Sequence, residues 1–451
     1  MLRLCAYRLA LFLFLIGLAG VARAQAPSES SSVIVADLVR RLAELERKVA
    51  DQDQEIKTLR EKVARPAGTQ PDSPTVANSP VEDGLVATAK ARSANESAAH
   101  FFSETVLGGA RVKALMDVYY AYNTQQPVSG LSQLRGFDNE TNQFSLNLIE
   151  LGIVRSPAPE KRLGYDFALG FGNAMNVVNG TDPGGGNFAQ YLKEAYISYL
   201  ASAGNGIQID VGKFPTPATA EVMESSSNWN YSRSFSYNYA TPYYLFGMRA
   251  TYRFKDAYSL TGLLVNGWNN IVDSYSSGKT IGLSLDWAAS PKFSVSETWL
   301  GGRGAIPIDT GQRNVLYTVV RFMPIDKLSL MAGVDYGRSG GINGAQHLMH
   351  WAALAGYARY QLNPRYAFAA RYEYYNDRDG ITTCGACTVL TPQHLGEVTA
   401  TLERRIQQHL LTRLEFRRDW SDEPIFFRAD TPIRNQSTVT LGVTYAAESG
   451  K

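Results

Sequence analysis

The sequence predicts an all-β fold: an antiparallel transmembrane β-barrel of about 16 strands, preceded by an N-terminal α-helical coiled coil. Three observations predict it. The chain begins with a secretory signal, apolar residues alternate with period two from Arg111 onward, and the connections between strands alternate between long and short. Membrane-spanning barrels combine these features, because each strand presents alternate residues to lipid and to a wet interior.

Residues 1–24 read as a signal peptide. Arg3 and Arg8 precede the apolar run 9–21, and Ala22-Arg23-Ala24 fits a cleavage site before Gln25. Cleavage leaves 41 basic and 42 acidic residues, and this balance predicts no nucleic-acid partner, since nucleic-acid binders carry a basic excess. After the signal, no apolar run approaches the roughly 20 residues of a membrane helix.

Residues 33–64 predict a coiled-coil stalk, because apolar residues recur at alternating spacings of three and four. Residues on facing helices of a parallel coil would pair Arg41 with Glu46, Lys48 with Asp53, and Glu55 with Arg60. A solvated single helix, with these charges pairing along its own surface, is the alternative. The oligomer number is left open by the mixed core, which comprises Val35, Leu38, Leu42, Leu45, Val49, Gln52, Ile56, Leu59 and Val63.

Residues 65–104 predict a flexible linker, because Pro66, Pro71, Pro74 and Pro80 lie among Ser, Ala, Thr and Asn without periodicity. The barrel is then expected over 105–451. Its clearest strand has Leu163, Tyr165, Phe167, Leu169 and Phe171 on one face. Sixteen segments are predicted: 111–122, 144–154, 162–173, 189–201, 206–213, 243–254, 258–268, 279–288, 292–300, 313–323, 327–337, 349–361, 365–375, 395–404, 409–419 and 436–445.

The connections between these segments alternate strictly in length. Short ones range from 255–257 to 155–161, and long ones range from 269–278 to 214–242. Outer-membrane barrels have short periplasmic turns and longer outer loops, whereas a soluble sandwich has no reason to sort its loops in this way. Segments 144–154 and 258–268 have mixed faces, which bulges would explain. The polar and aromatic loop 214–242 is the longest, and we expect it to fold inward and constrict the barrel.

Several stretches resemble the putative beta-barrel porin-2 (OmpL-like) family of Gram-negative outer membranes. They are DVYYAYN at 117–123, NQFSLNLIE at 142–150, DPGGGN at 182–187, GKFPTPATAEV at 212–222, NWNYSR at 228–233, PYYLFGMRATY at 242–252 and LVNGWNN at 264–270. The resemblance covers roughly 110–440. It implies an outer-membrane channel for passive diffusion of small hydrophilic solutes or ions, with no catalytic residue and no cofactor.

The resemblance and the coiled coil together suggest a homotrimer with its stalk in the periplasm. The expected partners are outer-membrane lipid, further copies of the chain, permeating solutes and the barrel-insertion machinery. Barrels of this class commonly end on an aromatic residue, but here six residues follow Tyr445, so recognition by that machinery is open. The alternative function is a structural protein whose stalk tethers or spaces the envelope. An enzyme is not expected, because the five His have no evident catalytic partners.

Charged residues on the inward positions of the strands are the candidate pore-lining residues. Two interpretations remain open: an arginine wall opposite acids of the inward loop, which would set ion preference, or cross-strand pairs that keep a wet lumen soluble. The first pairs Arg249 and Arg253 with the loop acids. The candidates are Glu221, Glu224, Arg249, Arg253, Arg371, Glu373, Arg413, Glu415 and Arg417, with Asp419 on the same face as the last three.

Aromatic and cysteine residues carry three further expectations. The loop aromatics Trp229, Tyr231, Phe235, Tyr237 and Tyr239 either pack the loop against the wall or stack on sugars, and packing is favoured. Cys384 and Cys387 predict a local disulfide in an outer loop, because their C-x-x-C has no second pair for zinc, and no metal site is expected. Trp268, Trp287 and Trp299 are expected in the interfacial aromatic belts.

Overall fold

The computed structural model describes residues 108–180, 182, 188–272, 278–303, 311–340, 348–383 and 390–449. The predicted signal peptide, coiled coil and linker lie outside the described residues, as do Cys384 and Cys387. None of the helices in the described part is both long and apolar enough to cross a bilayer.

The described chain forms eighteen strands and one short α-helix. The strands are β1 (Arg111–Asn123), β2 (Phe144–Arg155), β3 (Leu163–Phe171), β4 (Leu192–Ala201), β5 (Ile207–Pro215), β6 (Tyr244–Lys255), β7 (Tyr258–Val265), β8 (Thr280–Ser290), β9 (Phe293–Arg303), β10 (Gln312–Ile325), β11 (Leu328–Ser339), β12 (Met349–Asn363), β13 (Tyr366–Asp377), β14 (Gln393–Gln407), β15 (Leu410–Ser421), β16 (Phe426–Arg428), β17 (Thr431–Ile433) and β18 (Asn435–Glu448). The helix α1 (Asn173–Asn179) precedes β4, and short helical turns occupy Phe188–Tyr191, Ser225–Ser227 and Ser236–Ala240.

Sixteen of these strands close into one antiparallel barrel, in which each strand pairs with its neighbour in sequence and β18 pairs with β1. The predicted strand number is confirmed, and the predicted boundaries differ from the observed ones by a few residues. The small hairpin β16–β17 lies outside the barrel sheet, and the sequence did not predict it because each of its strands has three residues.

Side chains along each strand point alternately out of the barrel and into it, and the outward face is apolar. On β13, Phe368, Tyr372 and Tyr374 are exposed, whereas Arg371 and Glu373 between them are buried. Near the short turns, the outward rings of Tyr258, Trp287, Phe293 and Phe322 contact one another in series. This belt is where amphipathic rings of a membrane protein meet the bilayer interface.

Two of the three tryptophans predicted to lie in such belts face outward: Trp287 and Trp299 are 39% and 37% exposed. The prediction for Trp268 is wrong. It is buried inside the barrel, where the Arg313 guanidinium lies 4.9 Å from the centre of its ring. The interior is therefore not uniformly polar.

The mixed faces of two segments have different causes. The predicted bulge in β2 is confirmed, because its register against β1 shifts between Leu146 and Leu148. The predicted bulge in 258–268 is wrong: β7 pairs regularly with β8, and the register shift between β6 and β7 places the extra residue, Phe254, on β6. Its inward Leu263 and Val265 instead join an apolar cluster within the barrel, because long loops fold into the interior and supply apolar partners for them.

Candidate functional site

Loop 3, residues 216–243 between β5 and β6, crosses the interior and is held by two carboxylates of the opposite wall. Glu373 on β13 accepts hydrogen bonds from the backbone N–H groups of Phe235 at 2.6 Å and Ser236 at 2.7 Å. Glu415 on β15 accepts from Tyr231 N–H at 2.6 Å and Ser232 N–H at 3.0 Å. Each carboxyl group thus accepts two main-chain N–H groups that are buried from water, and buried N–H groups need such partners, so these two side chains fix the middle of loop 3.

Arginines beside these carboxylates bind loop 3 through its carbonyl oxygens. Arg371 donates to Ser232 O at 2.8 Å, and Arg417 donates to Arg233 O at 2.5 Å. Arg413 donates to the carbonyls of both Ser225 and Asn228. Carboxyl groups of the wall thus accept hydrogen bonds from the N–H groups of the loop, and arginines of the wall donate hydrogen bonds to its C=O groups. Buried backbone polar groups require such partners.

Loop 3 is also stabilised by hydrogen bonds within the loop. Arg233 is fully buried and donates to the carbonyl oxygens of Val222, Met223 and Tyr231. Glu221 accepts from Ser234 N–H at 2.8 Å and forms an ion pair with Arg371 at 2.8 Å. These contacts give the loop one compact shape against the wall.

The aromatic side chains of loop 3 pack against the wall, which confirms the favoured interpretation for Tyr231, Phe235 and Tyr237, all of them buried. Tyr231 donates its hydroxyl to Asp117 Oδ1 at 2.8 Å. Burial raises the pKa of Tyr231 above its ordinary value, so the hydroxyl remains a donor. The Arg417 guanidinium lies 5.0 Å from the ring centre of Phe235.

Two other long loops support loop 3. In loop 1, residues 124–143, Arg135 pairs with Asp419 of the wall at 2.8 Å and with Asp138 of its own loop. Burial would lower the pKa of Arg135, but the two carboxylates raise it above its ordinary value. In loop 2, residues 172–191, α1 packs its buried face on loop 3 through a cluster that includes Ala174, Met175, Val178, Phe137, Met223 and Tyr237.

The structure places the predicted wall residues on the inward face but beneath loop 3. Each of them is at most 3% exposed: Arg371, Glu373, Arg413, Glu415 and Arg417, together with the loop acid Glu221. These residues therefore contact protein rather than the open lumen. Sequence alternation located them, but it carried no signal that a distant loop would cover them.

The predicted pairing of loop acids with Arg249 and Arg253 is wrong. Arg249 instead pairs at 2.7 Å with Asp210, its direct cross-strand neighbour on β5. Arg253 is exposed close to a short turn. Glu221 reaches Arg371 on the far wall, whereas Glu224 pairs with Lys193 on β4, on the near side of the loop.

A second charged cluster, which the sequence did not single out, lies on β1–β4. Lys113 contacts Asp166 at 2.9 Å and Glu194 at 3.3 Å, and Lys193 contacts Glu194 at 2.7 Å and Glu150 at 3.4 Å. Lys193 and Glu194 are consecutive, and both point inward because the register shifts between Ala168 and Leu169. This irregularity hid the cluster from a period-two search, although the polar alternate Asp166 was a signal for part of it.

The two walls differ in exposure. The side chains of Arg371, Glu397 and Arg417 on the far wall are 0% exposed, whereas those of Lys113 and Glu224 are 23% and 22% exposed. A cavity of about 120 Å³ lies on the β4 side of loop 3, and its lining includes Lys193, Glu194, Thr216, Thr219, Glu224 and Tyr244. Within the described residues, no His, Cys, Asp or Glu group of three is arranged to hold a metal.

The model of one protein family, described as putative beta-barrel porin-2, OmpL-like, matches residues 109–446. The chain belongs to this family. It is accordingly an outer-membrane porin, a passive diffusion channel, and both family and fold favour a channel over an enzyme. No curated protein matches the chain.

Two solved structures with a similar fold are a channel and a porin. The outer membrane channel DcaP of Acinetobacter baumannii is 11% identical, with a TM-score of 0.50 over 75% of this chain and 97% of that one. An anion-selective porin from Comamonas acidovorans is 10% identical, with a TM-score of 0.50 over 75% of this chain and 99% of that one. At such low identity the likeness shows the fold alone.

Proposed function

We propose that loop 3 narrows this porin and that solutes pass between the loop and the β1–β6 wall. The observation that carries the proposal is the difference in exposure between the walls. At the level of loop 3, the far wall is closed by backbone and ion-pair contacts to the loop, and its partly exposed Arg359 lies nearer the short turns. On the other side, Lys113, Glu224 and Arg249 keep partly exposed side chains. A hydrophilic solute passes where water has access, which is the space between loop 3 and the β1–β6 wall.

The charges along this passage favour cations. The charged side chains on this side of the barrel comprise five carboxylates and four basic groups; they are Glu150, Asp166, Glu194, Asp210 and Glu224, and Lys113, Lys193, Arg249 and Arg253. Charged side chains at a constriction set ion preference, because ions pass within a few ångströms of them. The acidic excess supports a weak cation preference and passage of small polar solutes without a dedicated binding site.

Reversal potentials in planar bilayers under a KCl gradient test the proposal. We expect a cation-selective wild type, a shift toward anions in Glu194→Gln with Glu224→Gln, and a shift toward cations in Arg249→Glu with Arg253→Glu. Asp326→Asn is the matched control, since Asp326 is 92% exposed in a short turn and water screens its charge. Equal selectivity in all of these variants would contradict a passage along β1–β6.

The porin is further proposed to be a homotrimer joined by a periplasmic stalk. The support is the heptad pattern of 33–64, whose facing charges are complementary in a parallel coil. Native mass spectrometry of the full chain and of a variant without residues 25–104 tests it. We expect trimers in the full chain and weaker trimers, with unchanged conductance per barrel, in the deletion variant; a monomeric full chain would contradict the proposal.

A further inference from the structure

The inward face of β6–β14 is rich in arginine close to the short turns. We call this part of the lumen the periplasmic vestibule, because the short turns of outer-membrane barrels face the periplasm. It comprises the inward positions within five residues of a short turn. The charged side chains described there are four bases and two acids, with a net charge of +2; they are Arg253, Arg321, Arg359 and Arg405, and Asp286 and Glu403.

Cross-strand pairing shows that these arginines point into the lumen. Residues directly opposite each other on neighbouring strands share one face of the sheet. Arg321 is opposite the buried Met331, and Arg405 is opposite the buried Leu411. Burial marks the inward face of this barrel, so both arginines face inward, although both are exposed to water.

Most of the positive charge of the vestibule is not neutralised by ion pairs. Arg359 is the exception, because it donates to Glu403 at 2.8 Å. Among the described residues, no carboxylate lies within ion-pair distance of Arg253, Arg321 or Arg405. Since guanidinium groups stay charged in proteins, these three arginines act directly on ions in the lumen.

The short turns around the vestibule also carry more basic than acidic residues. The bases are Lys161, Arg162, Lys292, Lys327 and Arg365, and the acids are Glu160, Asp256 and Asp326. Beside loop 3, in contrast, the acids of the β1–β6 side outnumber the bases. The net charge of the channel therefore changes sign along its axis, from acidic beside loop 3 to basic at the periplasmic mouth.

We propose that this change of sign makes the channel rectify, so that it carries more ionic current in one direction than in the other. The inference rests on the proposed acidic passage along β1–β6. When the outer side is positive, cations move inward from the acidic passage and anions move outward from the vestibule. Both kinds of ion accumulate where the two regions meet, and the conductance rises. The opposite voltage draws both away from this junction, and the conductance falls.

The vestibule also makes the two mouths of the channel unequal for charged solutes. A cleft that is lined by one sign of charge raises the local concentration of its counter-ions. Small anions such as phosphate and carboxylates are therefore concentrated at the periplasmic mouth, whereas small cations are concentrated beside loop 3. Arg253, Arg321 and Arg405 thus determine which solutes enter readily from the periplasm.

Current–voltage curves of single channels in planar bilayers test the inference. At 0.1 M KCl, the current with the outer side positive should exceed the opposite current about 1.5-fold or more, and the two should become equal at 1 M, because the Debye length falls from about 10 Å to about 3 Å. Biotin on Asp326→Cys, with Cys384 and Cys387 replaced by Ser, reports the orientation. Asp326 is 92% exposed in a short turn, so fluorescent streptavidin binds only from the periplasmic side.

Two changes of the vestibule should act in opposite directions. Arg321→Gln with Arg405→Gln reduces its net charge from +2 to zero, so most of the rectification should be lost. No carboxylate is left unpaired, because neither arginine forms an ion pair with a described residue. Asp286→Asn raises the net charge to +3 and should increase the current ratio, and its amide oxygen can still accept a hydrogen bond from Ser296, as Oδ1 does now at 2.7 Å.

Arg404→Gln with Arg418→Gln is the matched control. It removes the same charge from the outward face, where Arg404 precedes Arg405 and Arg418 is opposite the exposed Val398. The current ratio should stay at the value of the unaltered channel. Equal currents in the unaltered channel at 0.1 M KCl, or loss of rectification in this control, would overturn the inference.

The reversal potential separates failure of this inference from failure of the proposed passage. Equal currents at both polarities, together with a cation-selective reversal potential, would refute the rectifying vestibule and leave the passage along β1–β6 intact. An anion-selective reversal potential would refute the passage and, with it, this inference.

Discussion

Replacing Glu415 by Ala should loosen loop 3 by an amount that the structure sets. The carboxylate accepts two backbone N–H groups, from Tyr231 and Ser232, and both residues are fully buried. A buried donor left without its partner costs about 1–3 kcal/mol, so the closed loop should lose about 2–6 kcal/mol. Because each 1.4 kcal/mol is a factor of ten, opening should become about 30-fold to about 10⁴-fold more frequent.

Modification of a buried cysteine measures this opening. Ser232→Cys, in a chain with Cys384 and Cys387 replaced by Ser, places a thiol where exposure is 0%, so that a hydrophilic thiol reagent reacts only after the loop opens. The Glu415→Ala variant should react at least about 30-fold faster, by the opening free energy worked out above. Single-channel recordings should show more open-channel noise, since Glu373 and Arg413 still hold the rest of the loop.

Two variants separate the backbone contacts from general damage to the site. Glu415 accepts the two N–H groups on separate oxygens, so Glu415→Gln keeps an acceptor for only one of them and should give about half of the loss. Thr401→Ala removes the hydroxyl that donates to Glu415 at 2.7 Å but leaves both backbone bonds in place. An unchanged reaction rate in Glu415→Ala, or equal rates in all three variants, would refute the assigned role of Glu415.

Three further predictions follow from single contacts. Gly442→Ala should also speed modification of Ser232→Cys, because a Cβ at Gly442 would lie 2.3 Å from the Tyr231 ring; Gly356→Ala, with open space at its Cβ, is the control that should leave the rate unchanged. Burial disfavours the charged form of Asp422, but hydrogen bonds from the backbone N–H and ring of His394 lower its pKa below 3.8. Its stabilisation is therefore present above pH 4 and lost as the pH falls through the lowered value, and Asp422→Asn should remove less than about 0.5 kcal/mol in unfolding titrations, since both side chains are about half exposed. The Cys384–Cys387 disulfide predicts that alkylation without reductant leaves the mass of the mature chain unchanged, whereas addition of two groups would exclude the bond.

The strands were predictable because lipid and short turns impose local rules. The period-two pattern and turns such as 256–257 are properties of adjacent residues, so all sixteen barrel strands could be placed from them. Segment 258–268 shows the limit: Leu263 and Val265 face inward against Leu300 and other apolar residues. The expectation that inward residues are polar assumes a water-filled interior. It fails where loops fill the interior and supply apolar contacts.

The sequence predicted which residues of the candidate site point inward, but it did not predict their hydrogen-bond partners. Inward parity found Glu415 and Arg371, yet their partners are backbone atoms of Tyr231 and Ser232, far away in sequence. Main-chain N–H and C=O groups are present at every residue, so they leave no mark in a sequence. Lys193 escaped notice for another reason, since a register shift in β3–β4 turns it inward beside Glu194.

Loop 3 is held in place through its main chain. The groups that anchor the loop are therefore different from the side chains that face a passing solute. Glu373, Glu415 and Arg417 bind N–H and C=O groups, which substitutions other than proline preserve. The side chain of Val222, which lies beside the cavity and is 38% exposed, takes part in none of these contacts, so it can be replaced without loss of the anchors. In this barrel, the chemistry of the passage can change, in evolution or by engineering, while the frame that positions it stays the same.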